Sequence, residues 1–457
     1  MALKNGQSSL DSITIRLVDL QKEITNCDSF NLSSEFLTPT DKVQFKVSNE
    51  DVLLVSELLV PPAKIDFVIN DRVQFTGYID SIHQESDREG GNITIVTCRD
   101  ILGRVVSSNT DFEEEYTSQS TVLDVLQKNL PQYGIEQIYN DDQTNINIMT
   151  GFAPGKGKNV KITITQKTTI GFEKNADKSF KLDSKHQKIP ITKEKKVTTV
   201  TAALKPGLKT LTLEHLKPKP GEGEYAFIDR ILKRHGLIMR AAADGSGVIV
   251  DKPNFDGPSI FNIFHKSGEL DSINNVIKAT KLLDFGEQPS LIIAMGFGGG
   301  KKSRKSQLKT IMVNELIGVD ENGTILPEVQ TLINKHPGFK PLPIRKELVP
   351  NRKLFGSKPI PCWKFIKDEE SKSQDQLDAF VKRKMAEYQQ KGLVMTYIVE
   401  GWTQNGYPWC LNTIVDVDDD VNNIHERMWI LNRRFDKTKS GTRTTLTLIR
   451  PYTLSIG

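Results

Sequence analysis

The chain has 457 residues, 37% of them hydrophobic, with a net charge of +4, a length that suits about three or four domains. No run approaches the ~20 apolar residues of a spanning helix, and the first residues, Met1 to Gln7, lack the charged and apolar regions of a secretory signal. Neither membrane insertion nor signal-directed export is therefore expected, and a pI of about 8.6 is too mild to point to specific nucleic-acid binding.

The first hundred residues alternate with period two. Ser12 to Val18, Lys42 to Val47 and Lys64 to Ile69 each predict a strand with one buried and one wet face. Asn70-Asp71 marks a turn into Val73-Gln74-Phe75, and Gly90-Gly91-Asn92 turns the chain into Ile93 to Cys98. In the strands 93–98 and 444–449, Thr94, Thr97, Thr445 and Thr447 are expected to face outward, with Ile95, Leu446 and Leu448 buried. Short strands joined by tight turns favour a small antiparallel barrel or sandwich.

After Asp100 the texture becomes α+β. Ser120 is placed to cap a helix carrying Val122, Leu123, Val125, Leu126 and Leu130. A second helix runs from Tyr225 to Arg234 and closes at Gly236. Leu237 to Met239 and Val248 to Val250 read as a hairpin across Asp244-Gly245-Ser246-Gly247. Between these elements lies a lysine- and threonine-rich insertion at 155–220, read as a β-rich segment with a cationic surface, or more sharply as a docking surface for an acidic partner protein. Leu291 to Met295 is a further apolar strand. Ile325 to Pro361 reads as irregular, Gln374 to Gln390 as a polar helix with Leu377, Phe380, Val381 and Met385 on one face, and four strands follow from Val394 to Arg450.

The motifs that could carry chemistry fail on spacing. Gly296 to Ser303 resembles a phosphate loop, but Met295 stands where the first glycine belongs and Lys302 where the magnesium-binding hydroxyl belongs. Asp416 to Asp420 alternates oxygens like a calcium loop, yet Val421 replaces the required glycine and Arg427 the distal glutamate. Cys27, Cys98, Cys362 and Cys410 form no CxxC pair, and the histidines, including His83, His215, His235 and His425, form no paired-ligand motif. No catalytic, cofactor-binding or metal-binding residue is therefore assigned, and no cofactor is expected. The insertion offers a hydrolase only five carboxylates, Glu173, Asp177, Asp183, Glu194 and Glu214.

The two β-rich ends echo one another: Tyr78 to His83 leading into Ile93 to Asp100, and Met428 to Arg433 leading into Thr445 to Pro451. An internal duplication is expected from this. At the C-terminus stand Arg383-Lys384-Met385-Ala386, Tyr397 to Trp402, Asn405 to Trp409, Thr413 to Asp418 and Leu448 to Pro451. Ahead of them come Phe75 to Asp80, Val96 to Leu102, Gly221 to Tyr225, Arg230 to Leu232 and Gly236-Leu237. In this order the segments resemble the baseplate hub proteins of contractile-tailed phages, the Mu-type hub or late-control tail P family. The insertion at 155–220 departs from the family.

The resemblance implies a mainly β chain with α+β parts: two tail-tube-like β-barrel domains, two smaller α/β domains and a homotrimeric ring. On that map residues 1–106 are the first barrel and 107–260 an α+β domain holding the insertion. Residues 261–300 and 394–457 form the second barrel, and 301–393 an inserted irregular and helical domain. The implied function is a non-enzymatic adaptor between a three-fold spike and a six-fold tail tube, located in the virion and assembled in the host cytoplasm. The implied partners are the central spike and the tube or its initiator, with tape-measure and peripheral baseplate proteins as further candidates. The alternatives are a tail-borne cell-wall hydrolase, a secretion-system spike or hub, and a glycan-binding β protein.

Overall fold

The computed structural model describes residues 11–25, 27–48, 59–87, 91–111, 113–117, 119–139, 161–172, 190–200, 217–267, 274–297, 307–348, 362–368, 371, 373–438 and 441–454. The chain divides into two compact units. The first comprises 1–279, 396–426 and 430–447, and the second 280–395, 427–429 and 448–457.

The first unit is built on a thirteen-stranded sheet. Eleven strands lie in the order Val276–Leu282, Val394–Glu400, Gly441–Ile449, Ile424–Thr438, Ser29–Glu35, Lys42–Ser48, Gly91–Asp100, Arg72–Asp87, Lys64–Ile69, Ile13–Leu17 and Lys22–Ile24. Ile414–Asp419 pairs with Ile424–Thr438 and with Ser259–His265, off this path. The order is open, so the expected barrels do not close on themselves among the described residues. Instead Ile424–Thr438 pairs with Ser29–Glu35, Asn432 opposite Glu35 through Lys437 opposite Phe30, joining the two ends of the chain in one sheet.

Within this sheet six strands repeat. Taken in chain order, Ile13–Leu17, Ser29–Glu35, Lys42–Ser48, Lys64–Ile69, Arg72–Asp87 and Gly91–Asp100 lie in the spatial order 2-3-6-5-4-1. Ser259–His265, Val276–Leu282, Val394–Glu400, Ile414–Asp419, Ile424–Thr438 and Gly441–Ile449 lie in the same order. The last three strands of each set match in length: 6, 16 and 10 residues against 6, 15 and 9. In each set the turn from the fourth to the fifth strand passes through residues in the left-handed region, Asn70 and Asp71 in one and Asn423 in the other, a conformation that asparagine and aspartate tolerate better than most residues.

The expected burial phase holds in one repeat, and in the other it holds for Thr97 but fails for Thr94 and Ile95. Leu446 and Leu448 are buried while Thr445 and Thr447 are half-buried on the opposite face. In Gly91–Asp100, however, Thr94, Val96 and Cys98 are buried, and Ile93, Ile95 and Thr97 lie on the wetter face. Thr94 and Thr97 are three residues apart, so alternation forbids them a common face. Identity misled where parity decides.

The α+β part of the first unit packs Val122–Asn129 and Glu224–Arg234 against a three-stranded sheet. The first of these helices is capped by Thr121 rather than Ser120. Thr121 Oγ1 accepts from Asp124 N at 3.2 Å, and Asp124 returns the bond by accepting from Thr121 N at 2.7 Å, a reciprocal box that Ser120 is one residue too early to make. Gly236 follows the second helix at φ +67°, as its C′ position requires. The insertion contributes a two-stranded ribbon, Lys161–Phe172 with Pro190–Val200.

The second unit is an α/β sandwich. Its sheet runs Lys340–Pro341, Gln307–Val313, Leu291–Phe297, Trp363–Asp368. Helix Gln374–Gly392 covers one face through Leu377, Val381 and Met385, and helix Pro327–Asn334 covers the other through Val329 and Ile333. Leu291–Phe297 was expected with the second barrel at 261–300. It lies in this sheet instead, and its unbroken apolar run suits a strand covered on both faces. The helix Pro327–Asn334 was read as irregular because of its proline, but Pro327 sits in the first turn, where no donor is lost.

Candidate functional site

The turn between Ile414–Asp419 and Ile424–Thr438 gathers titratable groups. Asp419 is fully buried: its carboxylate accepts from Tyr397 Oη at 2.8 Å, Asn422 Nδ2 at 2.7 Å and Asn422 N at 2.8 Å, and lies 2.9 Å from His265 Nδ1. Burial pushes this carboxyl up, but the bonds from Asn422 and Tyr397 and the neighbouring His265 hold it below the usual aspartate range. Beside it, Lys266 Nζ reaches Asp418 at 2.5 Å and Asp420 at 3.2 Å, and His425 Nδ1 lies 2.7 Å from Asp418. The bond from Lys266 lowers the Asp418 carboxyl.

Asp418, Asp420 and His425 bring three ligand atoms within 4.8 Å of one another. The Lys266 ammonium already supplies the cation, and a lysine cannot ligate a metal in that form. The Asp419 carboxylate is held by Tyr397, Asn422 and His265 together, a geometry that pins the turn.

A second polar seam lies inside the sheet. Arg433 is 6% exposed. It donates through Nη1 to the Trp409 carbonyl at 2.7 Å and to Gln74 Oε1 at 3.3 Å, and through Nη2 to Ser34 Oγ at 3.1 Å. Ser34 donates to Asp41 at 2.7 Å, and Asp100 accepts from the Asp41 and Leu102 backbone amides at 2.7 and 2.9 Å. Burial raises both carboxyls, Asp100 further because Asp41's charge adds to it. The seam joins Arg433, from the second repeat, to Ser34 and Gln74 of the first.

Of the residues singled out by motif, Asp418, Asp420 and His425 meet in the turn at Asp419, and the others described do not join them. Gly296 and Phe297 end a strand, and the rest of that loop, 298–306, lies outside the described residues, as does His215. Of the five carboxylates of the insertion, Glu173, Asp177, Asp183 and Glu214 also lie outside them. All four cysteines are free, and burial pushes the Cys27 thiol up to about 11, which keeps it unreactive. His83 is exposed beside Glu85 and His235 caps a helix. No described helix is long and apolar enough to cross a membrane.

The features best suited to recognition are sheet edges, which the alternation pattern alone could not locate. Val276–Leu282 ends the thirteen-stranded path and exposes Ile277, with Leu282 and Leu283 exposed at its end. Trp363–Asp368 ends the four-stranded sheet and exposes Trp363 and Phe365, 48% and 51% accessible. Edge strands bearing large apolar side chains are places where another chain can pair.

Residues 373–456 match the model for the fourth domain of the Mu phage baseplate assembly protein GpP. No curated protein matches the chain by sequence. Among solved structures, a tail protein from Neisseria meningitidis MC58 is similar at a TM-score of 0.62 and 17% identity, over 97% of this chain and 98% of that one. The 43 kDa tail protein of prophage MuSo2 from Shewanella oneidensis is similar at 0.61 and 12%, over 97% and 99%. Residues 373–456 therefore match the model of the GpP fourth domain, and the chain as a whole shares its fold with these two tail proteins.

Proposed function

We propose that the chain is the baseplate hub of a contractile phage tail, a homotrimeric ring that adapts a three-fold spike to a six-fold tube. The six-strand repeat supports this reading most directly. Two copies of one sheet motif per chain give six copies in a trimer, and a ring of six similar units fits a six-fold partner while its chains keep three-fold symmetry. The unclosed strand edges also suit a chain completed by neighbours, since an exposed edge is a liability in a monomer.

The work is recognition and load-bearing, with no chemical step. The carboxylates and histidines that come together are satisfied by their own neighbours, which favours a structural protein over a tail-borne hydrolase. On this reading the two six-strand repeats supply the tube-facing material, 107–258 and 283–393 brace it, and the protein resides in the tail baseplate. Native mass measurement of the purified chain, alone and with its spike, tests the reading: three times 51.3 kDa is expected in at least one condition. A monomer in both would overturn it.

A further inference from the structure

In each repeat the long fifth strand leaves the fourth at an isoleucine. Ile79 N donates to the Ala63 carbonyl in the first repeat and Ile430 N to the Thr413 carbonyl in the second, both at 3.0 Å. Beyond that point the second repeat finds a new neighbour: Asn432 to Lys437 pairs antiparallel with Ser29–Glu35, the second strand of the first repeat. The matching stretch of the first repeat, 80–85, pairs only with Gly91–Asp100 among the described residues. The second strand of the second repeat, Val276–Leu282, ends the sheet with one edge unpaired. Each half of the internal junction therefore has a counterpart that lacks a partner.

Burial follows the pairing. Arg433 and Phe435 are buried in the paired stretch, as are Phe30, Leu32 and Ser34 opposite it. No residue of 80–85 or of Val276–Leu282 is buried, and Ile277 stands 49% exposed. Charge follows it too, with the signs exchanged. In the internal junction, 432–437 carries Arg433, Arg434 and Lys437 against Asp436, and Ser29–Glu35 carries only Glu35. In the counterparts, 80–85 carries Asp80, bonded to Arg99, and Glu85, beside His83, with no lysine or arginine. Val276–Leu282 carries Lys278 and Lys281 and no acid.

We infer that the internal junction recurs between copies of the chain: Val276–Leu282 of one copy adds antiparallel to 80–85 of the next, so that the sheet runs on across the boundary. The inference rests on the ring reading above. The contact joins two different edges, which is the head-to-tail kind that closes a ring. It would pair two rows of open backbone groups and cover Ile277. The exchanged signs also fix which edges meet. Swapping the strands between the two kinds of junction would set lysine against arginine, or glutamate against aspartate, whereas the alternation proposed opposes unlike charges at every boundary.

Disulfide scanning of the full chain, with Cys362 and Cys410 changed to serine, gives the test. Gln84→Cys is combined in turn with a cysteine at each position from 277 to 283, and the assembly is oxidised with diamide. Covalent dimers and trimers on a denaturing gel are expected to peak at one or two adjacent positions, about fivefold above the rest. Replacing Gln84→Cys by Ile82→Cys should move that peak two positions toward Leu283, as an antiparallel register requires. Glu85→Lys should lower the yield of the best pair about threefold. A peak that moves the other way, a uniformly low yield, or disulfides closed within single chains would overturn the inference. Native mass read on the same sample separates the two readings: a trimer without the peak sinks this junction alone, whereas a monomer sinks the ring as well.

Discussion

The two six-strand repeats share an order but not a chemistry. Their fourth to sixth strands form the same local meander, and it is the first strand that differs. Ile13–Leu17 runs antiparallel to Lys64–Ile69, whereas Ser259–His265 runs parallel to Ile414–Asp419. A meander is dictated by adjacent strands and short turns, so its geometry survives divergence. A strand that attaches from far away in the chain can be re-hung in either direction, since nothing local fixes its sense. The repeats also differ in their buried carboxylates. Asp41 and Asp100 in the first sit against each other and are raised, while Asp419 in the second is ringed by donors and lowered.

The largest effects should come from the cores of the two last strands. Val96→Asp and Leu446→Asp each place a carboxylate at a fully buried position. Each should cost several kcal/mol and leave no cooperative unfolding transition by circular dichroism. If one repeat tolerates the change, the two cores are not equivalent. Next in size is Arg433→Ala, which strands the Ser34–Asp41–Asp100 chain and should lower stability by about 3–5 kcal/mol in urea denaturation. Arg434→Ala, one residue on and half-exposed beside Asp436, should change it by less than about 1 kcal/mol.

Titration sharpens the contrast between the carboxylates. The lowered Asp419 contributes stability that is present above the ordinary aspartate value and lost as pH falls through its depressed folded value. The raised Asp100 acts in the opposite sense: its contribution is greatest in acid and is lost as pH rises from the ordinary value through the raised one. Urea midpoints measured across pH should show Asp419→Asn flattening the acid limb. An Asp419→Asn chain with an unchanged acid limb would rule out that role.

Smaller effects test the burial phase. Thr94 is 1% exposed, and its hydroxyl has no hydrogen-bond partner among the described residues. Thr94→Val should therefore raise stability by about 1 kcal/mol. Ile95→Lys and Thr445→Lys, both on the wetter face, should each shift the midpoint by about 0.5 kcal/mol or less.

Much of the sheet was legible because its strands alternate: Lys42–Ser48, Lys64–Ile69 and Val394–Glu400 are readable from period two. Ser29–Glu35 was not, since Ser34 takes one of its three buried positions, and Val276–Leu282 was not, since an edge strand need bury little. The internal duplication showed in sequence only as two similar hairpins. The common 2-3-6-5-4-1 order depends on pairings such as Lys42 with Arg99 in the first set and Ser259 with Ile414 in the second, which no local pattern encodes. The turn at Asp418 to His425 was legible as polar but not as a cluster, because His265, Lys266 and Tyr397 reach it from distant strands.

End-on electron-microscopy class averages of the purified assembly test most directly the proposal that one chain supplies two equivalent sheet units to a three-fold ring. Six similar lobes around the ring, reducing to three-fold symmetry at higher resolution, are the predicted result. A ring of three lobes, or an assembly whose two repeats occupy different radii, would contradict it.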